Sequence, residues 1–239
     1  MRKYWTNLLC ATLFGLSPAL LAAQKAESRD AAPPVLEKIT ERMYRVGGVL
    51  IDTTARTVTC PGVINMDQGA IEYLAVAPNG KLHESLLRLD IRPLHLQLGL
   101  LMLGLDPKNV LKYQGDRTTP RGAPVSITIS WHTRTGEVMR VAADALVMQM
   151  PGEKSMPAHN WVFTGSRILR AGFEADLAKS LVAVWHDPAA ILDNPLPGGG
   201  NNAYFVNAKR APRRGTPIEC VFTAADATAP GGGTGASRP

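Results

Sequence analysis

The chain has 239 residues, with 26 Lys and Arg against 20 Asp and Glu and a formal charge of +6. At 45% apolar and 19% charged residues, it is too apolar for global disorder and has neither collagen-like nor coiled-coil composition. The length suits one domain, or two small ones, with a real core.

The N-terminus reads as a targeting segment. Arg2 and Lys3 precede an apolar stretch from Leu8 to Ala23, broken at Ser17-Pro18 and ending in Leu20-Leu21-Ala22-Ala23. This is the pattern of a secretory signal peptide over 1–23, with cleavage after Ala23. The run is short for a spanning helix and contains a proline, so the mature chain is expected to have no transmembrane helix. Cys10 lies too early for a lipoprotein and lacks a small residue before it. Cleavage would leave 24 bases against 20 acids, a net of +4. The cluster Lys209, Arg210, Arg213 and Arg214 reads as a solvated loop. No aromatic interleaving accompanies it, so no nucleic-acid partner is indicated.

Residues 24–34 read as a polar linker, 35–223 as a single domain, and the Ala/Gly/Thr/Pro-rich 224–239 as a disordered tail. Within the domain, Val46 to Asp52 and Arg56 to Asn65 are predicted strands around a turn at Thr53-Thr54-Ala55. Ile71 to Ala77 is a strand stopped by Pro78-Asn79-Gly80. Asp90 and Pro93 open a predicted helix over about 91–105, with Leu94, Leu98, Leu101 and Leu105 at helical spacing and Leu96, Leu100 and Leu103 beside them. In Val125 to Thr133, Val125, Ile127, Ile129 and Trp131 alternate with Ser126, Thr128, Ser130 and His132, as in a half-buried strand. Gly136 turns it into a strand from Val138 to Met148. Further strands are predicted at Trp161–Ile168, Val182–Trp185, Ala203–Val206 and Ile218–Phe222, with a short helix near 188–193 and a loop at Gly198-Gly199-Gly200. The expected class is α+β: a mainly antiparallel β-sheet with one buried apolar helix, 91–105, and the short helix 188–193.

Several blocks agree in order with a known family. They are Pro78 to Leu86, the apolar helix after Asp90, Trp161 to Ser166, Leu181 to Pro188, Asp193-Asn194-Pro195 and Gly215 to Ile218. Over most of residues 45–223 the chain resembles the YdjY-domain proteins. The resemblance implies a bacterial exported protein of uncharacterised function, and it carries no catalytic residues across.

Candidate sites therefore rest on chemistry. His83-Glu84-Ser85 places an imidazole, a carboxylate and a hydroxyl within three residues, open to ligand contact, acid–base work or a purely structural turn. No Gly-x-Ser-x-Gly elbow supports a serine nucleophile. Metal binding could draw on His83, Glu84 and His159, although no helical His spacing or Cys-x-x-Cys is present. Trp161 beside His159, or Trp185-His186-Asp187, could stack on a sugar ring or fill the core. The ligand-binding candidates are His83, Glu84, Ser85, Trp161, His186 and Asp187. Cys60 and Cys220 remain after cleavage, and in an oxidising compartment they suggest one disulfide, worth roughly 5 kcal/mol by loop entropy. No nucleotide or flavin signature occurs, so no cofactor is expected. The reading is a periplasmic or secreted protein that binds a small-molecule, glycan or protein ligand. The alternatives are a metal-dependent or acid–base enzyme using His83 and Glu84, and a structural accessory protein of an envelope complex.

Overall fold

The structure, a computed structural model, describes residues 33–150, 154–197 and 203–225. The signal segment, most of the linker, the loop at 198–200 and the tail beyond residue 225 lie outside the described residues.

In chain order the strands are β1 Leu36–Lys38, β2 Met43–Val46, β3 Val49–Asp52, β4 Thr57–Ile64, β5 Tyr73–Val76 and β6 Ser85–Leu89. Helix α1 spans Pro93–Met102. Then follow β7 Ala123–His132, β8 Val138–Ala142, β9 Val147–Gln149, β10 Lys154–Ser155, β11 Trp161–Phe163, β12 Ile168–Leu169 and β13 Gly172–Phe173. Helix α2 is Glu174–Ala178, and β14 Ser180–Ala183, β15 Leu192–Asp193, β16 Tyr204–Val206 and β17 Pro217–Ala224 complete the set.

The α+β expectation is overturned. The order β4-β17-β7-β11-β15-β14-β5-β6 returns to β4 through a β4–β6 ladder, so eight strands close into a barrel. The structure is mostly β, at 39% strand and 12% helical, and among the described residues α1 is the one helix of seven or more residues. The physical reason is long-range pairing. Closure joins β4 to β17 and β7 to β11, and hydrophobic alternation within a strand carries no information about which distant strand lies beside it. Strands β1 to β3 extend from β4 as an antiparallel meander, and β8 hangs on β7.

Alternation does set the inward faces. Val58, Cys60 and Ile64 of β4, Ile127 and Ile129 of β7, and Ile218, Cys220 and Phe222 of β17 are buried in one core with Trp161 and Phe163 of β11. Strands β5 and β14 are buried on both faces, so they read as continuous apolar runs. The predicted strand over 46–52 is two strands, because Gly47 adopts φ +54 and turns Val46 back onto Val49. The Gly-Gly pair between them was the hairpin signal.

Helix α1 also departs from expectation. The side it buries carries Leu96, Gly99 and Leu100, while Leu101 is exposed. Gly99 lets the helix approach Val58 and Ile51. The helix packs on β3 and β4 and also touches β14, which is three places from β4 around the ring. Asp90 does not cap it and pairs with Arg88 instead. The cap comes from α2: Asp176 Oδ1 accepts from Leu94 N at 2.9 Å, and Oδ2 from Arg92 Nε at 2.6 Å. The predicted helix at 188–193 is absent. Asp187 Oδ1 accepts from Ala189 N at 2.9 Å in a tight turn, and Leu192–Asp193 then pair as β15. No helix among the described residues is long and apolar enough to cross a membrane.

Candidate functional site

The outer wall of β5 carries a polar network assembled from distant parts of the chain. Tyr73 is fully buried, and its hydroxyl donates to Asp187 Oδ2 at 2.6 Å. The Tyr73 hydroxyl oxygen accepts from Lys81 Nζ at 3.0 Å and from Gln114 Nε2 at 3.1 Å. Gln114 Nε2 also reaches Glu72 Oε2 at 3.1 Å, and its Oε1 accepts from Lys81 Nζ at 3.2 Å. Lys81 lies 3.5 Å from Glu84, and His83 Nε2 lies 3.6 Å from the other oxygen of Glu84.

Local structure explains the meeting. The turn at Pro78-Asn79-Gly80, with Asn79 at φ +64, leads into a 3-10 turn at Leu82–Glu84. Strand β6 then runs parallel to β5, with Ser85 opposite Tyr73. This places Lys81 and Glu84 over Glu72 and Tyr73. The 184–190 segment brings Asp187 from the other side.

The electrostatics divide the network in two. Burial, followed by the charge of Asp187, pushes the Tyr73 phenol far up, so it stays a neutral donor. On the exposed side, burial and then the neighbouring Glu84 raise Glu72 above the ordinary carboxylate range, against the pull of Lys81. A carboxylate pair of this kind can hold a proton near a bound ligand.

Of the residues singled out by sequence, His83, Glu84 and Asp187 join this network. His83 is well exposed, at 80% of its side chain. Ser85 is buried and donates to Lys81 O at 2.6 Å, which fastens the turn. His186 is turned inward between two backbone carbonyls, Asp116 O at 2.7 Å and Leu196 O at 3.3 Å. Trp161 is completely buried and offers no stacking face to solvent. The His159 ring packs against it, tilted by 45° with centroids 4.9 Å apart, and burial lowers the His159 pKa. Among the described residues no three His, Cys, Asp or Glu side chains gather as metal ligands.

A family model for the YdjY domain matches residues 49–223. The chain belongs to the YdjY-domain family. That YdjY domain runs from β3 to β17, so it contains every barrel strand and the whole Tyr73 network. No curated protein and no solved structure matches the chain.

Within the YdjY domain, sequence reasoning missed Glu72, Tyr73, Lys81 and Gln114. Lys81 and Glu84 are three apart, a spacing that could have drawn attention. Gln114 sits in a long loop with no signal of its own. Trp185 was noticed only as the neighbour of His186. It is partly exposed and lies against Gly115, the residue after Gln114, where any Cβ would overlap its ring.

Beneath the network, Asp193 is fully buried. Its Oδ2 accepts from Asp187 N at 2.9 Å and its Oδ1 from Asn194 N at 2.7 Å. Burial raises its pKa well above the ordinary value. Its protonated form is therefore favoured by folding. That stabilisation is complete below the unfolded carboxyl pKa, about 3.9, and is lost as pH rises through the raised folded value. In Asp193→Asn the amide nitrogen cannot accept, so one backbone N–H loses its partner at a cost of about 1–3 kcal/mol. Urea unfolding across pH 4 to 8 is expected to show the largest wild-type advantage at the acid end, shrinking as pH rises. A gap that widens toward pH 8 would contradict this.

Proposed function

We propose that this is an exported binding protein whose Glu72, Gln114, Lys81 and Glu84 take a hydroxyl-rich small molecule or glycan. One observation supports the reading above others. Four polar groups from three separate segments meet, and the partly exposed Trp185 is tied to Glu72 through its backbone and lies with its ring against Gly115. Carboxylate and amide groups hydrogen-bond to sugar hydroxyls, and an indole face packs on the apolar face of a sugar ring. Export rests on the 1–23 pattern, and N-terminal sequencing of protein recovered from the periplasm should start at Gln24.

Calorimetry with defined neutral and amino sugars tests the binding. Glu84→Gln and Lys81→Ala should weaken the best ligand at least tenfold with melting little changed. A panel without any saturable binder would overturn the reading. The raised Glu72 beside Glu84 favours a second reading, an acid–base enzyme acting on the same class of ligand. Cleavage products in the same mixtures, lost in Glu72→Gln, would distinguish it.

An oxidising compartment would also suit a Cys60–Cys220 disulfide. The two residues face each other across the β4–β17 ladder, and the structure holds them as buried free thiols. Burial pushes both thiols far up, so attack by either is slow once the barrel is closed. Bridging would precede closure. Thiol titration of unfolded, unreduced exported protein should find none free, and two free thiols would sink the idea.

A further inference from the structure

We propose that the cleft between the β7–β8 hairpin and the 212–216 loop binds a phosphoryl group. This cleft has a volume of about 550 Å³ and is lined by Trp131, His132, Arg134, Arg213, Arg214 and Thr216, among others. A second cleft of about 340 Å³ adjoins it, shares Trp131 and His132, and adds Arg140 and Glu219. Neither touches the Glu72 and Lys81 wall.

The charges carry the argument. Arg45, Arg88, Arg92 and Arg167 each pair with a carboxylate elsewhere on the domain. Among the described residues, Arg134, Arg140, Arg213 and Arg214 form no such pair. The larger cleft is thus lined on two sides by three exposed arginines that form no ion pair, and by the exposed His132. Three acids lie near the clefts, and none forms an ion pair with these arginines. Asp67 Oδ2 accepts from the backbone N–H of Arg214 at 3.0 Å, Glu137 accepts from Thr135 Oγ1 at 3.5 Å, and Glu219 lines the smaller cleft.

The arginine-bearing loop is also fixed in advance. Gly215 N donates to Ile64 O at 2.7 Å, Ile64 N to Thr216 O at 3.0 Å, and Thr216 Oγ1 to Arg213 O at 2.7 Å. Across the cleft, Thr133 N donates to Glu137 O at 2.8 Å and closes the hairpin turn. Little backbone ordering remains to be done on binding. Three exposed arginines lining one cleft suit a tetrahedral oxyanion with several acceptor oxygens better than a single carboxylate. The volume fits a small ligand or one headgroup. The source is either a free phosphorylated molecule or a phospholipid headgroup.

The test uses the purified exported protein and two probes. Inorganic pyrophosphate is titrated by calorimetry, and phosphatidylglycerol vesicles are compared with phosphatidylcholine vesicles by co-sedimentation. Saturable binding to either is expected, weakening as salt rises from 50 to 300 mM. Pyrophosphate binding identifies a free phosphoryl ligand, and binding to phosphatidylglycerol vesicles alone identifies a headgroup. Arg213→Ala/Arg214→Ala on one wall and Arg134→Ala on the other should each lower affinity at least tenfold with unchanged melting. Glu84→Gln should leave it intact. Failure of both probes to bind, or binding that survives both arginine variants, overturns the proposal.

Discussion

A Gly62→Ala variant is expected to lose about 3 kcal/mol of stability, because the barrel closes at that residue. Gly62 stands opposite Leu89 in the β4–β6 ladder. A Cβ there would run into the Arg88 carbonyl oxygen and come within 2.8 Å of Leu89 Cδ2. The nearest obstacle is backbone, so no rotamer change relieves it. The two strands must part, and the pairs Val63 with Arg88 and Ile64 with Leu87 loosen with them. Gly104→Ala is the comparison. Gly104 has φ +77 but nothing within 4 Å of a Cβ, so it should cost only about 1–2 kcal/mol of backbone strain. Urea unfolding followed by near-ultraviolet circular dichroism measures both. Equal losses for the two would mean that β4 and β6 do not hold the ring shut.

The second large effect lies in the Tyr73 network. Asp187→Ala should cost about 3 kcal/mol, since it leaves the Tyr73 hydroxyl, Ser180 Oγ and Ala189 N without their acceptor. Tyr73→Phe should cost about 1 kcal/mol, because Lys81 and Gln114 lose a shared acceptor but stay partly solvated. A double-mutant cycle should show coupling of about 1 kcal/mol or more. Additive losses would break the link between the two residues. Sugar binding by Asp187→Asn separates architecture from function. A positioning role for Asp187 predicts weaker binding through displaced Tyr73 and Lys81, whereas a purely structural role predicts lower melting and unchanged affinity.

Much of the barrel wall was legible as individual strands, because β7 and β17 alternate cleanly between core and solvent. Their order around the ring was not. Cys60 and Cys220 were paired in the sequence reading by elimination, yet the register places them opposite each other for a different reason, the long β4–β17 ladder. The leucine-rich helix misled on orientation. Leucines lie on nearly every side of it, so spacing could not decide between the Leu94–Leu98–Leu101 stripe and the Leu96–Leu100 side, and Gly99 marked the packed face. At the site, His83 and Glu84 stood out through their chemistry. Glu72 and Gln114 matter through contacts between segments 42 residues apart in sequence, and no local pattern records those. Trp161, left open between stacking on a sugar ring and filling the core, is the largest fully buried side chain of the core.

The place of β17 in the ring has a consequence for synthesis. It is the last strand of the domain, yet it sits between β4, near the beginning, and β7. As the chain emerges from the ribosome, β4 and β7 each lack a neighbour until residues 217–224 arrive. The core facing Ile218, Cys220 and Phe222 stays open for that whole time. Contacts separated by so much sequence form late and slowly. A nascent chain of this kind cannot close its barrel until its final strand is delivered.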